Sequence, residues 1–230
     1  MPGAREAADD AGIAHELAKL GHDVGKDAVA RYMPKPQERP SRTWATFVRN
    51  HTTGTIAIDF FTVPTVTFGV LYVFFVLSLE RRRAIHVNVT EHPTTEWAAQ
   101  QIVEAVGPDA AFTRLIRDRD GIFGAAFDRR VENLGLKQVR TAPRSPWQNG
   151  FEERWIGTAR RELVDHVIVL GEHHLRRMLR EYARFYNDDR PHMSLAGDAP
   201  AHREVEPPSN GRVVAIPKLG GLHHRYSRAA

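Results

Sequence analysis

Residues 56–63 read Ile56-Ala57-Ile58-Asp59-Phe60-Phe61-Thr62-Val63. The run is apolar, β-branched and aromatic, which suits a strand with both faces covered. One carboxylate interrupts it. A charge at Asp59 costs several kcal/mol unless it is paired or bound to a cation, and no partner lies within the strand. An aspartate at a frayed strand end, or one paired with a distant arginine, is the plain alternative. The apolar tract continues to Leu79 and is long enough for a membrane helix. Asp59, Pro64 and the polar middle of Thr62, Thr65, Thr67 and Gly69 argue for two strands instead, over 55–66 and 70–79, joined by a turn near Pro64–Gly69.

Reading outward, Arg83-Ala84-Ile85-His86-Val87-Asn88-Val89-Thr90 alternates as a third strand of an antiparallel meander, with Arg81-Arg82-Arg83 at its turn. A helix is expected from Thr94 to Val106, capped by Thr94 or Thr95 and stopped by Gly107-Pro108. A strand follows from Phe112 to Arg117, then a helix from Phe123 to Leu134 and a short strand from Lys137 to Thr141. A long helical tract runs from Pro146 to about Leu170, and another helix from Glu172 to Asn187. This order predicts an α/β fold, a mixed sheet with helices on its faces. Before it, Ile13, Leu17 and Leu20 form an apolar stripe closed by Gly21, and Asp27 to Tyr32, with Val29 inward, forms a second helix. That is the outline of a helix-turn-helix, or of a plain helical hairpin. Pro34, Pro36 and Pro40 make a stiff linker. Three regions are expected: 1–40, 41–203, and a tail over 204–230 holding one peripheral strand or none.

The 230 residues are 42% hydrophobic and 26% charged, a globular balance. No cysteine is present, which excludes disulfide scaffolds, cysteine-zinc modules and a cysteine nucleophile. The net charge of +4 permits a nucleic-acid partner without demanding one. Met1 to Asp10 lacks the basic start and apolar run of a secretory signal, so a cytoplasmic protein with no membrane partner is expected.

Two further places carry carboxylates. Asp118 stands at the exit of Arg114-Leu115-Ile116-Arg117, and strand ends are where ligand sites collect in α/β sheets. Asp120 lies two residues on, within an Asp-Gly turn signal. Glu152 shares a largely apolar helical stripe with Ile156, Ala159 and Leu163, whereas Glu153 lies on a polar one with Gly157, Arg160 and Arg161. Both could instead be solvated first-turn acids favoured by the helix dipole. Acids of this kind, brought together, suit Mg²⁺, which takes oxygen ligands and substrate phosphates. Two such ions can activate a nucleophile and stabilise a leaving oxygen in phosphoryl transfer.

The stretch 42–203 resembles the integrase core domain of bacterial insertion-sequence DDE transposases and retroviral-type integrases. The resemblance rests on Ile58-Asp59-Phe60-Phe61-Thr62-Val63, on Arg117-Asp118-Arg119-Asp120-Gly121-Ile122-Phe123, on Ser145-Pro146-Trp147-Gln148-Asn149-Gly150-Phe151-Glu152-Glu153-Arg154, and on Phe185-Tyr186-Asn187-Asp188-Asp189-Arg190-Pro191-His192-Met193-Ser194-Leu195. It implies an RNase H-like mixed five-stranded sheet flanked by helices, and a Mg²⁺- or Mn²⁺-dependent transposase that cleaves DNA and transfers strands. It places the metal-binding and catalytic acids at Asp59, Asp118 and Glu153. Asp118 fits the family spacing to the glutamate better than Asp120, but Arg119-Asp120 replaces the family's asparagine-glycine and leaves that choice open. Transposon ends and target DNA would be the partners, on a homodimer or higher multimer, and no covalent protein–DNA intermediate is implied.

Lys137, Arg140, Arg144, Asn149, Arg154, Arg160 and Arg161 are the candidate DNA-binding residues, each with a solvated helix face or helix-start role as its bland alternative. Trp147 could stack on a base or fill the core. Tyr186, Arg190 and His192 read as structural, and His173 and His174 as surface residues. A catalytically inactive DNA-binding remnant and a nuclease that cuts without joining are the competing functions.

Overall fold

The computed structural model describes residues 17–32, 42–107, 111–143 and 145–229. The chain divides into two compact units, 1–39 and 40–230. In the first, residues 17–19 are helical and Gly21 turns the chain at φ 85°. Helix α1 follows over Lys26–Tyr32 with Val29 buried. Of the expected first helix only residues 17–19 are described; the glycine turn and the second helix lie where the sequence placed them. Leu20, expected on the apolar face, is 74% exposed. Ile13 and the prolines of the linker lie outside the described residues.

The second unit opens with α2 (Arg42–His51) and is built on strands β1 (Thr55–Pro64), β2 (Val70–Ser78), β3 (Arg83–Thr90), β4 (Arg114–Arg117) and β5 (Lys137–Arg140). Their order is β3-β2-β1-β4-β5. The meander pairs antiparallel, whereas β4 joins β1 in parallel and β5 joins β4 in parallel. Helices α3 (Thr95–Val106), α4 (Ala125–Asn133), α5 (Gly150–Glu162) and α6 (Glu172–Asp188) cover the sheet.

The alternation of side chains assigns each helix to a face. Ile56, Ile58, Phe74, Val76 and Leu115 pack with Ala98 and Ile102 of α3 and Phe127 and Val131 of α4. Ala57, Phe61, Val63, Phe75 and Ile116 pack with Trp155 and Ala159 of α5 and Leu175, Leu179 and Tyr182 of α6. Both faces of β1 are thus buried, which is why its sequence runs apolar without alternation. No helix among the described residues is long and apolar enough to cross a membrane.

Two expectations change. The helical tract expected to reach Leu170 stops at Glu162, and a short 3₁₀ turn takes up Val164–His166. Leu163, Val164 and Val169 are buried, and the chain leaves the helix to place them in the core. The β-branched Val164, Val167 and Ile168 give it little helical propensity to resist. The C-terminal segment is an antiparallel hairpin, β6 (Arg212–Lys218) against β7 (His223–Ala229), rather than a lone strand or an extended tail. Buried Asp189 holds it through Lys218 at 3.1 Å and Arg225 at 3.0 Å.

Candidate active site

Strand register sets the first two carboxylates. Ala57 of β1 lies opposite Ile116 of β4, in parallel. Two residues on from that pair stand Asp59, inside β1, and Asp118, the first residue past the end of β4. A period of two puts Asp59 on the face of Ala57, and Asp118 follows at the carboxyl end of β4, near enough for its charge to bear on Asp59. Helix α5 starts over the same face, since Trp155 and Ala159 pack there. Its first turn carries Glu152 and Glu153.

The carboxylates feel one another. Asp59 is pushed up to about 7, first by burial and then by the charges of Asp118, Asp120 and Glu153; the Phe60 amide, donating to Oδ1 at 2.7 Å, offsets part of this. The Asp118 carboxyl is raised, again by burial first and by Asp120, while it accepts the Asp120 amide at 3.0 Å. Asp120 is exposed and accepts the Ile122 amide at 2.9 Å, the turn role its Asp-Gly context suggested. Glu153 is exposed. Among the described residues no three His, Asp or Glu side chains stand close enough to hold one metal ion.

Glu152 is the residue that the candidate set passed over. It is 1% exposed and its carboxyl rises to about 8, chiefly through burial, with Asp59 and Glu153 adding to the shift and the backbone amides of Glu152 and Phe151 opposing it. The signal was its place on the apolar stripe: a buried stripe carrying an acid places that acid in the interior. The reading of both glutamates as solvated first-turn acids thus fails for Glu152.

The base of the Asp118 loop is pinned by Arg117, whose side chain is only 3% exposed. It pairs with Asp128 at 2.7 Å, donates to Gln138 Oε1 at 2.9 Å and to the Asp118 carbonyl at 3.0 Å, and covers Phe123 and Phe127. Asp128 also takes Arg140 at 2.7 Å, so that expected phosphate contact is already paired. Lys137 lies exposed on edge strand β5. Arg154 and Arg161 are exposed on α5, and Arg154 bears electrostatically on Arg82. Arg160 donates to the Thr62 carbonyl at 2.8 Å and covers Phe61, fastening α5 to β1. The expected basic set is therefore split between β5 and α5; Arg144 lies outside the described residues.

Just before α5, Trp147 Nε1 and Asn149 Oδ1 are buried without a hydrogen-bond partner. Polar atoms in that state cost about 1–3 kcal/mol each. The last motif is structural, as expected. Arg190 forks onto Glu162 at 2.7 and 2.8 Å, Tyr186 packs against Trp155 and His192, and Asn187 clasps β3 by bonding both the N–H and the C=O of Ala84.

Residues 134–200 match the family model of the integrase core domain. Among curated proteins none matches the sequence. Of solved structures, the simian T-cell lymphotropic virus intasome in complex with the PP2A regulatory subunit B56 gamma aligns with a TM-score of 0.54 at 13% identity, over 96% of this chain and 86% of that one. The HTLV-2 integrase catalytic core domain in complex with magnesium aligns with a TM-score of 0.52 at 12% identity, over 65% and 95%. The catalytic core domain of BIV integrase aligns with a TM-score of 0.49 at 14% identity, over 64% and 91%. The two higher scores show an RNase H-like fold of the integrase catalytic core. With the family match, they bear out the resemblance carried by the sequence motifs.

Proposed function

We propose that this chain is a DDE-type transposase or integrase that cleaves DNA and joins the freed 3′ end to a target, using Mg²⁺ or Mn²⁺. One observation carries the reading: the charges of Asp118, just past the end of β4, and of Glu153, in the first turn of α5, both bear on buried Asp59 in the adjacent parallel strand β1. The donor chemistry of Asp59, Asp118 and Glu153, three carboxylates, fits a hard divalent cation. The uncompensated charge around Asp59, which has no cationic partner among the described residues, fits as well.

Asp59, Asp118 and Glu153 would hold the metal. Such an ion, when bound, polarises the scissile phosphate and lowers the pKa of the attacking water. The chain's own residues do the rest. The amides of Phe60 and Asp120 orient the two aspartates, and Arg117 fixes the loop that carries the second. Arg154 and Arg161, exposed on α5, meet phosphates of the incoming strand. Transposon ends, target DNA and a multimeric assembly belong to the same proposal.

A second reading is favoured by the spacing of the acids, since no three described side chains share ligand distance. In that reading the chain is a DNA-binding remnant without catalysis. A strand-transfer assay on labelled DNA ends with Mg²⁺ decides between them. The wild type is expected to cut and join, and Asp59→Asn to lose both by more than about hundredfold, the several kcal/mol that a metal supplies. Unchanged cleavage in Asp59→Asn overturns the metal role. Cutting without joining identifies a nuclease, and DNA binding without cutting identifies the remnant.

A further inference from the structure

We propose that the outward face of α6, together with Arg83 at the start of β3, is a second DNA track that holds duplex phosphates away from the carboxylate site. The proposal rests on the DNA-processing reading above. Along α6, His173, Arg177, Arg180 and Arg184 recur at helical spacing, and all four are exposed. They lie opposite the stripe of Leu175, Leu179 and Tyr182 that packs on the sheet. The row from His173 to Arg184 spans about 16 Å of helix.

Two adjoining grooves connect these residues. One, of about 900 Å³, is lined by Arg177, Arg180 and Arg184, and the other, of about 480 Å³, by Arg83, Arg180 and Arg184. Among the described residues none of these four guanidiniums forms an ion pair or hydrogen bond. Neighbouring Arg176 shows the contrast: it is engaged by Glu172, Asn88 and the Val89 carbonyl. The acids lining the groove are Glu181, which accepts the Leu219 amide, exposed Asp188, and Asp189, which is paired with Lys218 and Arg225. With Asp189 neutralised by its own two cations, four guanidiniums stand against the two carboxylates outside ion pairs and leave the face positive.

A row of unpaired cations beside an open groove suits a polyanion with evenly spaced charges. A second copy of the chain suits it badly, because a two-fold contact on this face would set guanidinium against guanidinium. Protection of a sheet edge explains Arg83 but not the three arginines on the helix. The face also differs from the expected DNA-binding set, of which Lys137 and Arg140 lie on β5 and Arg154, Arg160 and Arg161 on α5.

The test is duplex DNA of arbitrary sequence, titrated by fluorescence anisotropy at several salt concentrations, with nicking measured in parallel. The triple variant Arg177→Ala, Arg180→Ala, Arg184→Ala is expected to bind at least tenfold more weakly. The slope of log affinity on log salt should fall by about 2 to 3, roughly 0.9 per lost phosphate contact. Circular dichroism confirms that it folds, and the corresponding triple lysine variant is expected to keep most of the salt slope. If the wild type nicks DNA and the triple alanine variant keeps its affinity and slope, the track is overturned and the enzymatic reading stands. If the wild type never nicks but the variant still loses affinity and slope, the track stands and the enzymatic reading falls. A variant that sediments as a smaller species with unchanged DNA affinity makes the face a self-interface and overturns the proposal.

Discussion

The informative residues are the carboxylates that the fold does not neutralise. Glu152 and Asp59 are both raised, to about 8 and about 7. A carboxyl whose folded value exceeds its unfolded one binds more protons when folded. Its protonated form then favours the fold, and that contribution is lost as pH rises from about 4 through the folded value. Stability should therefore decline between about pH 4 and pH 8. Glu152→Gln, which cannot ionise, should raise the melting temperature by a few degrees at pH 8 and change it little at pH 4. Thermal melts across that range check this, and an unchanged melting temperature at pH 8 counts against the burial-driven shift. Metal-dependent nicking serves as the functional control for the same variant.

At the scale of elements, one side chain fastens an edge strand to a helix. The Asn187 carboxamide satisfies the N–H and C=O of Ala84 beside the irregularity between Val76 and Leu77, where the ladder of β2 and β3 shifts register. Among the described residues β3 is an edge strand with no neighbour on its far side, and α6 supplies those bonds. Asn187→Ala leaves both groups of Ala84 unpaired in the interior, and a loss of about 2–4 kcal/mol is expected in urea denaturation. A smaller loss would mean that water reaches them. The asparagine of this motif was visible in the sequence; its partner was not, because a pairing across a strand irregularity leaves no local pattern. The strands and α3 were legible for the opposite reason. Apolar periodicity, the Thr94 cap, whose Oγ1 accepts the Trp97 amide, and the Gly107 stop are local signals, and the structure returned them nearly unchanged. The tract after Glu162 was misread because helical propensity is a weak prior that burial of Leu163, Val164 and Val169 overrides.

At the scale of the whole molecule, residues 40–230 form a unit with its own two-sided core around β1. A chain beginning at Pro40 is therefore expected to melt in one cooperative transition at the temperature of the main transition of the full chain. A broad or shifted melt would show that the first unit contributes to the core.

The sequence alone determined the sheet-and-helix order, the buried character of β1 and the identity of the acids, since period, capping and composition act over a few residues. The tertiary structure alone decided that Asp118 comes near enough to Asp59 for its charge to be felt, that Glu152 rather than Glu153 turns inward, and that Arg140 and Arg160 are occupied by Asp128 and Thr62. Those outcomes depend on strand register and on which side of a helix meets the sheet. Both are set by packing the whole core at once, among residues far apart in the chain.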